Sequence, residues 1–174
     1  MTESKDAEFT DFVADHGGHL LRTACLVTGD PHRGEDLLQT ALARAYGSWS
    51  KVRAADHPVA YVRRLMINAH LSWLRRLTNS EQIVETLPEL GSGDLQAAHA
   101  ESDVVRRALL TLSPRVRAAV VLRYFDDLSE ADTARVMGCS RSTVNNHVSK
   151  GLAALRVVLA PTGDDLTPTS RRTS

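Results

Sequence analysis

The stretch that decides the fold is LSEADTARVMGCSRSTVNNHVSKGLAAL, Leu128 to Leu155. It reads as two short helices meeting at a corner. Ser129 is placed to N-cap the first, with Glu130 and Asp132 in its first turn, where the helix dipole favours negative charge. Ala134 and Met137 give that helix an inward face, and Gly138 supplies the left-handed residue that ends it. Ser140 caps the second helix, whose Val144, Val148, Leu152 and Leu155 recur at steps of four, four and three. Only Gly138-Cys139 lies between. That is the helix-turn-helix layout, in which the second helix enters the DNA major groove.

The outward face of the second helix has suitable chemistry. Ser142, Asn146, Ser149 and Lys150 cluster opposite the valine-leucine stripe, with Thr143 and Asn145 on the flanks. An Asn side chain can pair with the N6 and N7 edge of adenine, and Ser or Thr can serve bases or phosphates. Lys150 and the N-terminal Arg141 suit phosphates. An ordinary helical hairpin with a solvated polar face carries the same pattern, so this stretch alone leaves both readings open.

Working outward, 174 residues have room for one compact domain or two small ones, and a 43% apolar share is enough for a core. Cys25 and Cys139 stand far apart and form no disulfide framework, which points to a reducing cytoplasm. His16 and His19 flank two glycines without a third ligand, so no metal site is predicted. The N-terminus is no signal peptide, and no apolar run approaches the ~18 residues that span a bilayer. The formal net charge is zero, but its distribution is uneven. Residues 1–43 carry a net −5, 44–76 a net +6, 77–105 a net −6 and 106–156 a net +5. Two basic blocks separated by an acidic one could touch nucleic acid twice.

In chain order, Glu8 to Val27 reads as a helix weakened at Gly17-Gly18 and ended by Gly29. Asp30-Pro31 opens the next, with Leu38, Ala41, Leu42, Ala45 and Trp49 inward. Its outward Asp36, Gln39, Thr40 and Ala43 suit a protein partner or simple solvation. Asp56-His57-Pro58 opens a third helix, reaching to about Leu77, with Val59, Val62, Met66, Ala69 and Trp73 on the core side. Another of its faces presents Tyr61, Arg64, Asn68, Ser72 and Arg75. Aromatic rings stack on unpaired bases and Arg follows the backbone, as single-stranded DNA requires. A solvated basic surface with one Tyr is the alternative.

Residues 78–101 break the helical pattern with Pro88 and Gly91-Ser92-Gly93, marking an acidic linker. At ~3.3–3.6 Å per residue it could reach roughly 80 Å. Beyond it, Val104, Val105, Ala108, Leu109 and Leu112 form one amphipathic stripe. Ser113-Pro114 opens a helix with Val116, Ala119, Val120, Leu122 and Phe125 inward. The residues after 158 have the composition of a frayed tail. The predicted fold is all-α, with a first domain over 1–77, the linker over 78–101, a second domain over 102–158 and a tail over 159–174. No nucleophile–base constellation appears, so no enzyme, cofactor or metal is expected.

These pieces in this order resemble an extracytoplasmic-function sigma factor of the sigma-70 class, close to the SigE-type actinobacterial subgroup. The resemblance covers about residues 8–157. It rests on EDLLQTALARAYGSW (35–49), AYVRRLMINAHLSWLRR (60–76) and LSPRVRAAVVLRYFDDLSEADTARVMGCSRSTVNNHVSKGLAALR (112–156). It implies a cytoplasmic subunit that brings core RNA polymerase to promoters and helps open the DNA. Asp36, Gln39, Leu42, Ala43 and Tyr46 would contact the polymerase β and β′ subunits. Tyr61, Arg63, Arg64, Asn68, Ser72, Arg75 and Arg76 would handle the −10 element. Arg141, Ser142, Thr143, Asn145, Asn146, Ser149 and Lys150 would read the −35 element. Such proteins are often restrained by an anti-sigma partner, and none is membrane-bound by this reading.

The sequence departs from the family pattern at three places. An aliphatic residue usually stands where Thr133 is, and a Lys or Arg at Asn145. A basic residue is also common at His147. Fewer positive charges should weaken phosphate contacts and alter −35 preference. A free-standing helix-turn-helix regulator is the rival reading, and a purely protein-binding helical adaptor the third. The 44–76 block and the acidic linker favour the sigma reading over the first, and the exposed Asn145, Asn146 and Lys150 over the second.

Overall fold

The computed structural model describes residues 2–79 and 100–160, which form helices joined by short turns, without a strand among them. The first group contains α1 (Thr2–Thr28), α2 (Pro31–Gly47), α3 (Trp49–Arg53) and α4 (Pro58–Asn79). The second contains α5 (Ala100–Leu110), α6 (Pro114–Val120), α7 (Glu130–Met137) and α8 (Arg141–Leu159). A π-helical turn over Val121–Phe125 widens the end of α6. Most of the expected linker, residues 80–99, and most of the expected tail, residues 161–174, lie outside the described residues.

Local chemistry sets the helix ends. Asp30 Oδ1 accepts from Arg33 N–H at 2.8 Å, with Pro31 at the first helical position of α2. Gly29 ends α1 at φ 77°, where its N–H returns to Cys25 O at 2.8 Å. As the expected single helix requires, α1 runs through Gly17-Gly18 without a break. Two glycines cost about 1 kcal/mol each in a helix interior. Burial of Phe12, Leu20 and Ala24 on one side of α1 outweighs that, since a single fully buried leucine contributes roughly 1.5–3 kcal/mol.

The first group packs around Phe12, Leu20, Leu38, Leu42, Val62 and Met66, with Trp49 and Val52 at one end. Helices α1 and α2 cross very closely at Gly34, where an added Cβ would lie 2.8 Å from the Cys25 backbone. In the second group Val104 and Val105, expected inward, are half exposed, and α5 docks through Ala108 and Leu109 instead, with Leu112 buried in the turn that follows. Phe125 is likewise 38% exposed, with its ring stacked on His19 of α1. Close approach of α8 to α6 depends on Gly151, whose added Cβ would meet Val120 Cγ2 at 2.5 Å.

The two groups do not stand apart as a freely tethered pair. Val27 of α1 and Ile67 and Leu71 of α4 share one hydrophobic core with Leu109, Leu112, Val120, Leu122 and Met137. Buried Arg117 of α6 donates to Leu109 O at 3.1 Å and Leu112 O at 3.1 Å, and across the boundary to Val27 O at 3.3 Å. Burial, reinforced by Arg33, lowers the pKa of this guanidinium from its ordinary value.

Candidate nucleic-acid interface

The helix-turn-helix forms as its capping residues require. Ser129 Oγ accepts from Asp132 N–H at 3.0 Å, and Ser140 Oγ from Thr143 N–H at 3.1 Å. Gly138 sits at φ 65°, and Cys139 N–H reaches back to Ala134 O at 3.1 Å. Val144 is fully buried beneath α8, while Val148 and Leu155 pack half-buried against the shared core. With that side committed, Arg141, Ser142, Asn145, Asn146, Ser149 and Lys150 are all exposed, and Thr143 is half-buried. Glu130 of α7 borders the face, 3.8 Å from Arg141 Nη2 and accepting from Asn145 Nδ2 at 3.4 Å. His147 is half-buried; burial first, then Arg115 and Lys150, lowers its pKa, so it adds no positive charge at neutral pH.

Thr133 lies directly under this motif. It is fully buried, and its hydroxyl has no hydrogen-bond partner among the described residues.

Helix α4 divides its residues among three surroundings. Val62 and Met66 enter the first core, with Tyr61 half-buried against it. Arg64, Asn68, Arg75 and Arg76 are exposed, and Arg75 Nη2 donates to half-buried Ser72 Oγ at 2.9 Å. Arg63, grouped with them by resemblance, is instead 8% exposed and turned toward the second group. Its Nε lies 2.8 Å from Asp126 Oδ2, an ion contact whose N–H does not line up as a hydrogen bond. Trp73, read as core, is half-buried at the edge, with the Arg33 guanidinium 4.1 Å above its ring. Beside it His70 is almost wholly buried; burial first, then Arg117 and Arg33, pushes its pKa down to about 4.

On α2, Asp36, Gln39 and Ala43 are exposed, whereas Leu42 is part of the core. Tyr46 Oη donates to Asp6 Oδ1 at 2.5 Å, and Lys5 Nζ lies 3.9 Å from its ring centre. Between α2 and α4 runs a cavity of about 280 Å³, with Asp36, Thr40 and Arg44 on one wall and His70, Trp73 and Arg76 on the other. An apolar groove of about 340 Å³ lies between α1 and the second group, lined by residues including Leu26 of α1 and Val105, Tyr124, Phe125, Leu152 and Leu159.

Sequence reasoning missed the cluster around Asp126. Its side chain is fully buried, and Oδ1 lies 2.8 Å from both His19 Nε2 and Thr23 Oγ1, on α1. These partners are more than 100 positions away in sequence, so no local pattern announces them.

Comparison with known proteins accords with this architecture. Residues 12–80 match Sigma-70 region 2, and residues 102–155 match Sigma-70, region 4. The chain is 38% identical over 149 residues to the RNA polymerase sigma-E factor of Streptomyces coelicolor, covering 86% of this chain and 84% of that protein. It is 36% identical to the sigma-E factor of Streptomyces avermitilis, covering 90% and 87% respectively. The ECF RNA polymerase sigma factor SigW of Bacillus subtilis is 25% identical, over 85% of this chain and 87% of its own length. The fold is also that of Bartonella quintana sigma factor RpoE, solved in complex with the anti-sigma factor NepR. That comparison gives a TM-score of 0.66 at 23% identity, covering 87% of this chain and 96% of that one. With region 2 and region 4 both present, in order, and sigma-E relatives matched along most of its length, the chain belongs to the ECF group of the sigma-70 family: it is an RNA polymerase sigma factor that directs core polymerase to promoters.

Proposed function

We propose that two surfaces divide the work of promoter recognition, and that α8 carries sequence choice at the −35 element. The supporting observation is the fully formed α8 face, where Ser142, Asn145, Asn146, Ser149 and Lys150 are exposed while Val144 anchors the opposite side. Asn145 and Asn146 offer paired donors and acceptors to base edges, and Arg141 and Lys150 hold phosphates. Asn145 and neutral His147 leave few cations on this helix, so base contacts carry more of the discrimination and salt dependence is shallow.

At the −10 element, Arg64, Asn68, Arg75 and Arg76 form the exposed strip that follows unpaired DNA, with Tyr61 as its stacking ring. Ser72 orients Arg75. Asp36, Gln39 and Ala43 present the exposed polymerase-binding face of α2, Tyr46 borders it, and Leu42 supports it from the core. The protein supplies binding and positioning for the β and β′ subunits.

The apolar groove between α1 and region 4, with Val105 and Tyr124 49% and 60% exposed, suits a helical protein partner. An anti-sigma factor fits this surface, and the Bartonella relative was solved with one. The deciding experiment is run-off transcription with purified bacterial core polymerase on genomic promoter fragments, with and without the chain. Initiation at specific sites that depends on the chain is the expected result. If transcripts were absent while the chain alone bound duplex DNA specifically, it would act instead as a free-standing regulator.

A further inference from the structure

The contact between regions 2 and 4 is built around a carboxylate. Asp126 follows the π turn of α6, whose wide backbone ring is closed by Asp126 N–H bonding to Val121 O at 3.1 Å. The next residue, Asp127, holds φ 52°, an uncommon conformation for a residue with a Cβ. From this turn the Asp126 side chain enters region 2 and is sealed from solvent. One oxygen faces His19 and Thr23, and the other the Arg63 guanidinium, each at 2.8 Å. The surrounding contact is tight. A Cβ on Gly29 would lie 2.1 Å from Leu110 Cδ2.

We propose that Asp126 is an interdomain latch holding this sigma factor closed, and that the latch must open before both promoter elements can be engaged. A buried carboxylate is strongly destabilising without partners, so it favours the one domain arrangement that supplies them. That arrangement takes Arg63 off the DNA-facing surface of α4 and covers Ile67 and Leu71 with region 4. It also restrains reach. A compact chain of this length has a radius of gyration of about 16 Å and so a diameter of roughly 40 Å. Two duplex contacts two helical turns apart need about 70 Å. Opening exposes Arg63, and the same guanidinium that closes the free protein becomes available to DNA. The latch geometry stands independently of the functional assignment, but its regulatory consequence rests on the sigma reading.

The full-length chain tests this, with donor and acceptor dyes on noncanonical residues at exposed Ser50 of α3 and Ala153 of α8. The free wild-type protein should show mainly high energy transfer. Asp126→Asn should raise the ratio of open to closed molecules roughly 10- to 100-fold, the loss expected for hydrogen bonds to a charged group. His19→Gln should act in the same direction by about tenfold or less. Asp127→Asn, which keeps a residue tolerant of its backbone angle and touches no latch partner, should leave the ratio unchanged. A predominantly open wild-type chain would overturn the latch, as would unchanged transfer in His19→Gln and in a helical Asp126→Asn. A second arm titrates each chain into core polymerase and measures run-off transcription. Asp126→Asn should reach half-maximal initiation at lower concentration, because a larger fraction is competent to bind. Opening without that gain would overturn the regulatory role, whereas failure of wild-type initiation would count against the sigma reading and leave the transfer result standing.

Discussion

Helices α4 and α8 both carry exposed polar residues that we propose meet DNA, yet they are built differently. Helix α8 is capped by its own Ser140, anchored inside region 4, and exposes its proposed reading residues along one side. Helix α4 is shared: one face closes the region 2 core, a second packs against region 4, and only the third meets solvent. Recognition and stability are therefore separable on α8 and entangled on α4.

His70 offers the strongest way to break that comparison, since it lies in the entangled part of α4. Its pKa falls from 6.5 to about 4 in the fold because burial, Arg117 and Arg33 all oppose the charged ring. The unfolded chain therefore binds a proton that the folded chain refuses. Stability from this residue is complete above pH 6.5 and is lost as the pH falls toward 4, by about 3 kcal/mol in all. Urea unfolding at a series of pH values should show a shallower decline for His70→Gln than for wild type over that window. Parallel profiles would mean that His70 is not held neutral.

The helix crossings sharpen the contrast between the two regions. A Cβ added at Gly34 would lie 2.8 Å from the Cys25 backbone, whereas one added at Gly151 would meet the ends of the Val120 and Val116 side chains at 2.5 and 3.1 Å. Backbone cannot turn aside as a valine methyl can. Gly34→Ala should therefore cost roughly 2–3 kcal/mol. Gly151→Ala should cost about 1 kcal/mol or less, because improved helix propensity offsets the crowding. Denaturant midpoints of the two variants compare them directly, and equal losses would show that both crossings are equally rigid.

Recognition should separate in the same way. Asn146→Ala is expected to lose about 1–3 kcal/mol of discrimination at one −35 position while leaving polymerase binding intact. Arg64→Ala should impair promoter opening by roughly tenfold, with much less effect on −35 binding. Permanganate footprinting and competition with mutated −35 duplexes distinguish the two. Equal loss of both activities in Arg64→Ala would remove the assigned role, as would unaltered −35 preference in Asn146→Ala.

What was legible in the sequence was local. Ser129, Gly138 and Ser140 act within a few residues, and each sits where its chemistry placed it. The stripe Val104-Val105-Ala108-Leu109 was harder, because helical period marks an apolar arc but not which part of it docks; the structure buries only its later residues. Leu42 and Arg63 illustrate the same gap at the site. Leu42 had both an inward reading and a role implied by resemblance, and the core contains it. Arg63 is drawn inside by Asp126, a partner 63 positions away that no periodicity reveals. The linker length sets how far the two regions can part, but not whether an apolar surface holds them together.

Thr133 gives a small predicted effect and the cleanest separation of scaffold from the proposed reading face. Its methyl and hydroxyl are both fully buried, and the hydroxyl lacks a partner among the described residues. Valine has nearly the same shape and the same branching at Cβ, so the α7 backbone and the packing beneath α8 need not move. Removing an unsatisfied buried hydroxyl should stabilise the protein by about 1 kcal/mol. Urea titration of Thr133→Val should then show a higher midpoint with an unchanged slope, since the surface exposed on unfolding is the same. The −35 preference should stay fixed, because Asn145, Asn146 and Ser149 point away from this position. A lower midpoint would mean that the hydroxyl is satisfied in solution, and a changed preference would mean that α8 is less independent of its scaffold than its capping implies.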